Sequence, residues 1–159
     1  MIKNVILDTG VFILWIVGLI DEGYIKKFIK TKMFSIEDFE VLNSKISTFE
    51  KVFITPHILA EFSHQTLEQT SFRDDYKKMV RSFLLKFSKG DILEENQIDL
   101  VKIFSNDKIY YLGVADISIV ESSNNNYAVI TSDGRLADTL RETGKIVFKF
   151  IPTQGFVSY

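Results

Sequence analysis

Short apolar runs that end at turn-forming residues alternate along this chain with segments of helical periodicity. The runs are rich in β-branched or aromatic residues and predict strands at Asn4–Leu7, Lys51–Ile54, Tyr127–Thr131 and Ile146–Phe150, with a short edge strand at Ile92 and Leu93. Strands that alternate with crossover helices form mostly parallel sheets. We therefore expect a three-layer α/β/α fold around a twisted sheet of about five strands.

Apolar positions that recur every three or four residues predict helices between these strands. Thr55 and Pro56 have the types expected of an N-cap and a first helical position, and Gly144 is expected to end the last helix. Besides the helix that starts at Pro56 and carries Glu61, helices are predicted at Val11–Ile20, Tyr24–Thr31, Ser35–Ser47, Phe72–Lys86, Gln97–Phe104, Val114–Ser122 and Leu136–Glu142.

The run from Val11 to Ile20 is apolar enough to suggest a signal peptide or membrane anchor. A spanning helix needs roughly 20 apolar residues, and extending this run to that length would include either Asp8 or Asp21. No small-residue cleavage site follows it. We expect a buried helix and no association with a membrane.

Composition limits the possible chemistry. The 159 residues, 46% of them hydrophobic, suffice for one domain over residues 1–159. With 19 basic and 21 acidic residues, the net charge of -2 gives no overall attraction to nucleic acid, so such binding would need local patches. The absence of cysteine excludes disulfides and thiolate chemistry, and two histidines cannot form an all-histidine zinc site. A cytoplasmic location is expected.

Four acidic residues stand near the ends of predicted strands or in the first turns of the helices that follow: Asp8, Glu61, Asp116 and Asp133. In an open parallel sheet these positions meet at one edge, so the four carboxylates are expected to share one crevice. Carboxylates placed together repel one another at neutral pH unless a counter-charge is present. Mg²⁺ or Mn²⁺ is the natural counter-charge.

Each acid also has a simpler interpretation. Asp116 lies on the same helical stripe as Ile119 and Val120, which places its charge toward the protein, yet it could be a first-turn acid that favours the helix dipole. Taken alone, Asp8 and Asp133 could be helix N-caps or turn residues. The case for a site therefore depends on the four acids together.

Both histidines flank Glu61 on one helix face, His57 four residues before it and His64 three residues after it. They could contact metal or phosphate, or could be ordinary polar residues near a helix start. Arg135 follows Asp133 almost directly and is the basic residue expected nearest a bound phosphate.

Other basic and aromatic residues could reach a nucleic acid. Lys77 and Arg81 belong to a basic stretch that would either bind phosphates or form a solvated helix face. Tyr110 and Tyr111, predicted to lie in a loop before Asp116, could stack on bases. Exposed aromatic residues could equally serve a homodimer or a protein partner.

Four segments, in order, resemble the acidic motifs of PIN-domain nucleases: Val5-Ile-Leu-Asp8-Thr-Gly10, Ile54-Thr-Pro-His-Ile-Leu-Ala-Glu61-Phe62, Leu112-Gly-Val-Ala-Asp116 and Val129-Ile-Thr-Ser-Asp133-Gly-Arg-Leu136. The resemblance covers nearly the whole chain. It implies an Mg²⁺- or Mn²⁺-dependent endoribonuclease with Asp8, Glu61, Asp116 and Asp133 as the acidic quartet. Thr9 and Thr131 or Ser132 would be hydroxyl neighbours. Many such proteins are VapC-type toxins, which implies an RNA substrate and a possible antitoxin partner.

The chemistry expected of such a centre is hydrolysis, in which an activated water attacks phosphorus in line and leaves 5′-phosphate and 3′-hydroxyl ends. Two alternatives stay open: a non-catalytic PIN-fold module that binds RNA or protein, and a structure-selective DNA nuclease. A phosphohydrolase of the haloacid dehalogenase type is disfavoured, because that family needs a second aspartate where this chain has Gly10.

Overall fold

Six strands form one sheet in the computed structural model, which describes residues 1–157. They are β1 (Asn4–Leu7), β2 (Lys51–Ile54), β3 (Leu93–Glu95), β4 (Tyr127–Thr131), β5 (Ile146–Ile151) and β6 (Gly155–Val157), and their order across the sheet is β3-β2-β1-β4-β5-β6. The first five strands are parallel, whereas β6 returns antiparallel to β5. The predicted α/β class is confirmed, with one strand more than expected because a short hairpin adds β6.

Within residues 1–157, eight helices flank this sheet and give the predicted three layers. They are α1 (Thr9–Ile20), α2 (Ile36–Ile46), α3 (Pro56–Gln65), α4 (Asp74–Lys89), α5 (Leu100–Ser105), α6 (Ile109–Leu112), α7 (Val114–Ser122) and α8 (Gly134–Glu142). Helix α1 packs against α2, α3 and α4, while α7 packs against α5, α6 and α8. A contact between α3 and α7 joins the two groups.

Helix α1 is the centre of the core, and its apolar run is buried as predicted except for Leu19 and Ile20 at its end, which are partly buried. Every residue from Val11 to Gly18 is buried. A β-carbon on Gly18 would overlap the ring of Phe39, so this glycine permits the close approach of α1 to α2. Within residues 1–157, no helix is both long and apolar enough to cross a membrane.

Two predicted helix boundaries are confirmed by their end residues. Thr55 caps α3 through its hydroxyl, which accepts a hydrogen bond from the Ile58 amide, and Pro56 occupies the first turn. Gly144 follows the last turn of α8 with a φ of +70°, a backbone conformation that glycine adopts without strain.

The helix predicted at Tyr24–Thr31 is wrong. The chain forms a 3₁₀ turn at Glu22–Tyr24 and then a series of turns, in which the Thr31 hydroxyl donates to the Ile25 carbonyl oxygen at 2.7 Å. Side-chain hydrogen bonds of this kind compete with helical backbone pairing. Ile25 is buried, whereas Ile29, four residues further along, is exposed.

Along α4, Tyr76 and Val80 are buried while Met79 is exposed. One further expectation needs correction. Tyr110 and Tyr111 lie in the short helix α6 and not in a loop. That helix ends at Gly113, whose φ of +87° turns the chain directly into α7.

Candidate functional site

Asp8 lies directly after β1, at the carboxyl edge of the sheet. Its carboxylate accepts hydrogen bonds from the amide of Val11 at 2.8 Å, the amide of Ser132 at 3.0 Å and the hydroxyl of Thr131. The side chain is only 5% exposed. Burial raises the pKa of Asp8; these three hydrogen bonds oppose the rise and the nearby Asp133 adds to it.

The buried hydroxyl of Thr131 connects Asp8 with Asp133. It donates to the Asp8 carboxylate and accepts from the backbone amide of Asp133 at 2.9 Å. Asp133 in turn caps α8, since its carboxylate accepts from the Leu136 amide at 3.0 Å. Because β1 and β4 are neighbouring parallel strands, residues more than 120 positions apart meet here through one threonine.

Glu61 reaches the same edge of the sheet from α3. One of its carboxylate oxygens accepts from the Thr9 hydroxyl at 2.9 Å, and the other accepts from the Gln65 side-chain amide at 3.0 Å. Thr9 is the residue next to Asp8, so this hydrogen bond fixes Glu61 beside the end of β1.

Asp116 lies in the first turn of α7. The position of this helix is fixed by a buried hydrogen bond of 2.7 Å between the hydroxyls of Ser118 and Thr55, the residue that caps α3. The pKa of Asp116 is raised to about 7, chiefly by burial and further by the charges of Asp8, Asp133 and Glu61, while the charge of Arg135 opposes the rise. All four predicted acids therefore interact electrostatically at one place.

Three of these carboxylates have protein donors, whereas Asp116 differs. Within residues 1–157, no hydrogen-bond donor contacts the Asp116 carboxylate. In the same part of the chain, no three acidic or imidazole side chains are close enough together to ligate one ion. The arrangement is thus a set of mutually repelling carboxylates, of which Asp116 has the most free acceptor capacity.

The two histidines differ in their surroundings. His64 is exposed and its Nδ1 lies 3.4 Å from a carboxylate oxygen of Glu68, so it pairs with that residue and not with Glu61. His57 is partly buried, and its buried Nδ1 has no hydrogen-bond partner among the described residues.

Of the predicted basic residues, Arg135 lies at the carboxylates. Its charge lowers the pKa of Asp116, and its guanidinium carbon lies 5.4 Å from the centre of the Tyr111 ring. Because Arg135 is the second residue of α8, the Asp133 cap that starts this helix also positions the guanidinium.

Lys77 lies elsewhere. Its ammonium group is 3.5 Å from Asp74, and the adjacent Tyr76 donates to Asp21 at 2.5 Å. Asp21 ends α1, whereas Asp8 begins it, and 12 helical residues separate the two ends by ~18 Å. The exposed Arg81 is one turn further along α4. The structure does not bring Lys77 to the carboxylates.

Two residues near the site had no clear signal in the sequence. Ser118, a polar residue, is buried and joins α7 to α3. Lys149 pairs in register with Thr131, and its Nζ lies 3.4 Å from the position that a β-carbon on Gly134 would occupy. Only the strand order, which places β5 beside β4, reveals that Lys149 belongs to this edge.

Comparison with known proteins shows little similarity. No protein-family model matches this chain, and no curated protein matches it. Among solved structures it is similar to a domain of a functionally unknown protein from Methanocaldococcus jannaschii, with 15% identity and a TM-score of 0.49 over 99% of this chain and 97% of that chain. A likeness of this size carries no functional argument.

Proposed function

We propose that this protein is a metal-dependent endoribonuclease of the PIN type, with Asp8, Glu61, Asp116 and Asp133 as its acidic centre. The observation that supports this most strongly is the state of Asp116, whose pKa is raised to about 7 by burial and by the other three carboxylates. Such a cluster is unfavourable for the fold alone. A divalent cation would remove the repulsion.

The donor set fits a hard cation. All four side chains offer carboxylate oxygens, which suit Mg²⁺ and Mn²⁺, and no thiolate is present in the chain to favour a softer metal. We expect the four carboxylates to hold one or two ions. When bound, such a cation lowers the pKa of water and stabilises the negative charge that develops on phosphoryl oxygens.

The surrounding residues orient the carboxylates. Thr131 fixes Asp8 and the backbone of Asp133, while Thr9 and Gln65 fix the two oxygens of Glu61. Locked side-chain positions of this kind reduce the cost of assembling the site around its substrate. Arg135 adds the positive charge that a phosphodiester needs close to an acidic centre.

RNA as the substrate follows from the resemblance to PIN-domain nucleases, because carboxylate chemistry does not distinguish RNA from DNA. The toxin role and an antitoxin partner rest on the same resemblance and stay predictions. If the protein is instead a non-catalytic binding module, neither a metal ion nor the four carboxylates should be needed for it to bind its RNA or protein partner.

The test is to incubate the purified protein with an RNA pool and Mn²⁺ and to map the cut ends, with a matched DNA pool in parallel. We expect RNA fragments with 5′-phosphate and 3′-hydroxyl ends, loss of cleavage in EDTA and recovery on adding Mn²⁺. Glu61→Gln should remove the activity, while Glu68→Gln, a change at the exposed partner of His64, should preserve it. Cleavage that survives chelation, or products with cyclic phosphates, would contradict the proposal.

A further inference from the structure

Two exposed tyrosines lie beside the acidic centre. Tyr110 is 98% and Tyr111 56% exposed, and both belong to α6, which leads through Gly113 into the helix that carries Asp116. We propose that Tyr111 and Arg135 form a stacking subsite for one unpaired base of a single-stranded RNA. This inference rests on the proposed function and names where its substrate is held.

The two side chains of the subsite come from different helices. The Arg135 guanidinium carbon lies 5.4 Å from the centre of the Tyr111 ring, within the range of a cation–π contact. Arg135 therefore presents a planar cation beside an aromatic ring. Arg135 stands two residues after Asp133, the N-cap of α8, so the pair is contiguous with the carboxylates.

Aromatic packing within the protein does not account for these rings. In residues 1–157, neither Tyr110 nor Tyr111 stacks on another aromatic ring, whereas Tyr24 and Tyr76 each contact several rings in the interior. An exposed tyrosine keeps its large apolar face in water. The part of the Tyr111 ring that Arg135 does not cover is therefore available to a flat partner.

An unpaired base fits this chemistry best. Bases splayed from a single strand stack on aromatic side chains and on arginine guanidinium planes, and every base has a π-face, so the contact needs no particular sequence. In a duplex the same faces are covered by neighbouring base pairs. The subsite therefore favours single strands and would hold a nucleotide adjacent to the carboxylates.

The experiment measures binding without cleavage. A fluorescein-labelled ten-nucleotide RNA is titrated with protein carrying Asp116→Asn, in EDTA and at constant salt, and the dissociation constant is read from anisotropy. Adding Tyr111→Ala should weaken binding about tenfold, since the stacked ring is lost. Tyr111→Phe keeps the ring and should stay within about twofold, and a duplex of the same sequence should not respond to Tyr111→Ala.

Phe104→Ala provides the matched control, because Phe104 is an exposed aromatic residue on the neighbouring helix α5. Arg135→Ala tests the subsite from the other helix and should also weaken binding. The subsite would be overturned by any of three results: unchanged RNA affinity in Tyr111→Ala, equal weakening by Phe104→Ala, or no measurable RNA binding at all. The first result would instead favour a protein partner as the ligand of the two tyrosines.

The outcome is separable from that of the nuclease proposal. Cleavage by the unaltered protein combined with Tyr111-independent binding would remove the subsite alone. Tyr111-dependent binding by a protein that never cleaves RNA with Mn²⁺ would remove the nuclease activity alone.

Discussion

Two aspartates in the first turns of their helices, Asp38 in α2 and Asp116 in α7, have opposite surroundings. Asp38 is 4% exposed and its carboxylate accepts from the Ser35 amide at 2.8 Å and from the Thr153 amide at 2.9 and 3.0 Å. Asp116 accepts from no donor within residues 1–157 and lies among three other carboxylates.

The difference separates a carboxylate that serves the fold from one that does not. Asp38 completes a capping box with Ser35 and holds the turn between β5 and β6, where Thr153 has a φ of +66°. Hydrogen-bond donors compensate the charge of the Asp38 carboxylate, so the burial of this side chain is favourable. Nothing in the described chain does the same for Asp116. Repulsion of this kind at one edge of the sheet is expected where function, and not stability, determines the residues.

The same substitution at both aspartates gives the largest expected contrast. Asp116→Asn should lower Mn²⁺-dependent RNA cleavage at least about 100-fold, because changes around a metal centre commonly reduce activity by 10- to 100-fold even outside the ligand set. Asp38→Asn should leave activity per folded molecule unchanged. Initial cleavage rates, normalised to the folded fraction by circular dichroism, measure both. Equal losses in the two variants would mean that Asp116 acts through the fold.

Stability should change in opposite directions at the two sites. Asp38→Ala removes the acceptor of two backbone amides and should lower the free energy of unfolding by about 2–3 kcal/mol. Asp116→Asn should raise that free energy in metal-free protein at pH 8, since it removes a repelled charge. Urea denaturation in EDTA measures both. If Asp116→Asn lowered the free energy of unfolding instead, the Asp116 carboxylate would not be a repelled charge that destabilises the fold.

The pH dependence of the free energy of unfolding, measured on metal-free protein, should also show that the Asp116 charge is unfavourable in the folded state. The pKa of Asp116 is about 7 in the folded protein against 3.8 for an ordinary aspartate. The folded state therefore binds the extra proton between these values, and stability should fall as pH rises from about 4 to 8. Because the side chain is partly exposed, we expect roughly 1–2 kcal/mol from this group and not the full value of the shift.

Asp8 should add to this slope in the same direction, because its pKa is also raised. Asp116→Asn should flatten the curve, and saturating Mn²⁺ should do so in the unaltered protein. The measurement is the free energy of unfolding from urea titrations at several pH values. A curve for Asp116→Asn that overlies the unaltered one would exclude Asp116 as its source.

The smallest expected effect concerns the orientation of Glu61. Thr9→Val keeps the side-chain shape but removes the hydrogen bond to Glu61, which still accepts from Gln65. We expect a loss of stability of about 1 kcal/mol or less and a loss of cleavage of about tenfold. Thr48→Val is the control, because that exposed hydroxyl donates only to the Lys45 carbonyl oxygen. Equal cleavage activities for the two variants would show that the hydrogen bond from Thr9 is not needed to orient Glu61.

Much of the fold could be predicted from local pattern. Strands β1, β2 and β4 begin and end at the predicted residues, because each is a short apolar run that stops at a polar residue or a turn. The helix prediction for Tyr24–Thr31 was wrong because the apolar spacing of this segment is also compatible with a compact set of turns, which the Thr31 hydroxyl stabilises. Strand β6 has too few residues to give any alternation.

The site was predictable as far as strand ends meet in a parallel sheet. That rule places Asp8 and Asp133 together, and the structure adds Glu61 and Asp116 through α3 and α7. It does not locate contacts that depend on helix packing. The hydroxyl pair that joins α3 to α7 and the displacement of Lys77 to the far end of α1 both depend on how helices pack, which periodicity does not specify.

Mn²⁺ binding is the direct test of whether these four carboxylates form one cation site. Isothermal titration of Mn²⁺ into metal-free protein at pH 8 should give saturable binding, lost or greatly weakened in Asp116→Asn and preserved in Asp38→Asn. A thermal shift with Mn²⁺ should follow the same order, since a cation that binds only the folded state stabilises it by mass action. Absence of Mn²⁺ binding, or identical binding by Asp116→Asn, would show that the four carboxylates do not form one cation site.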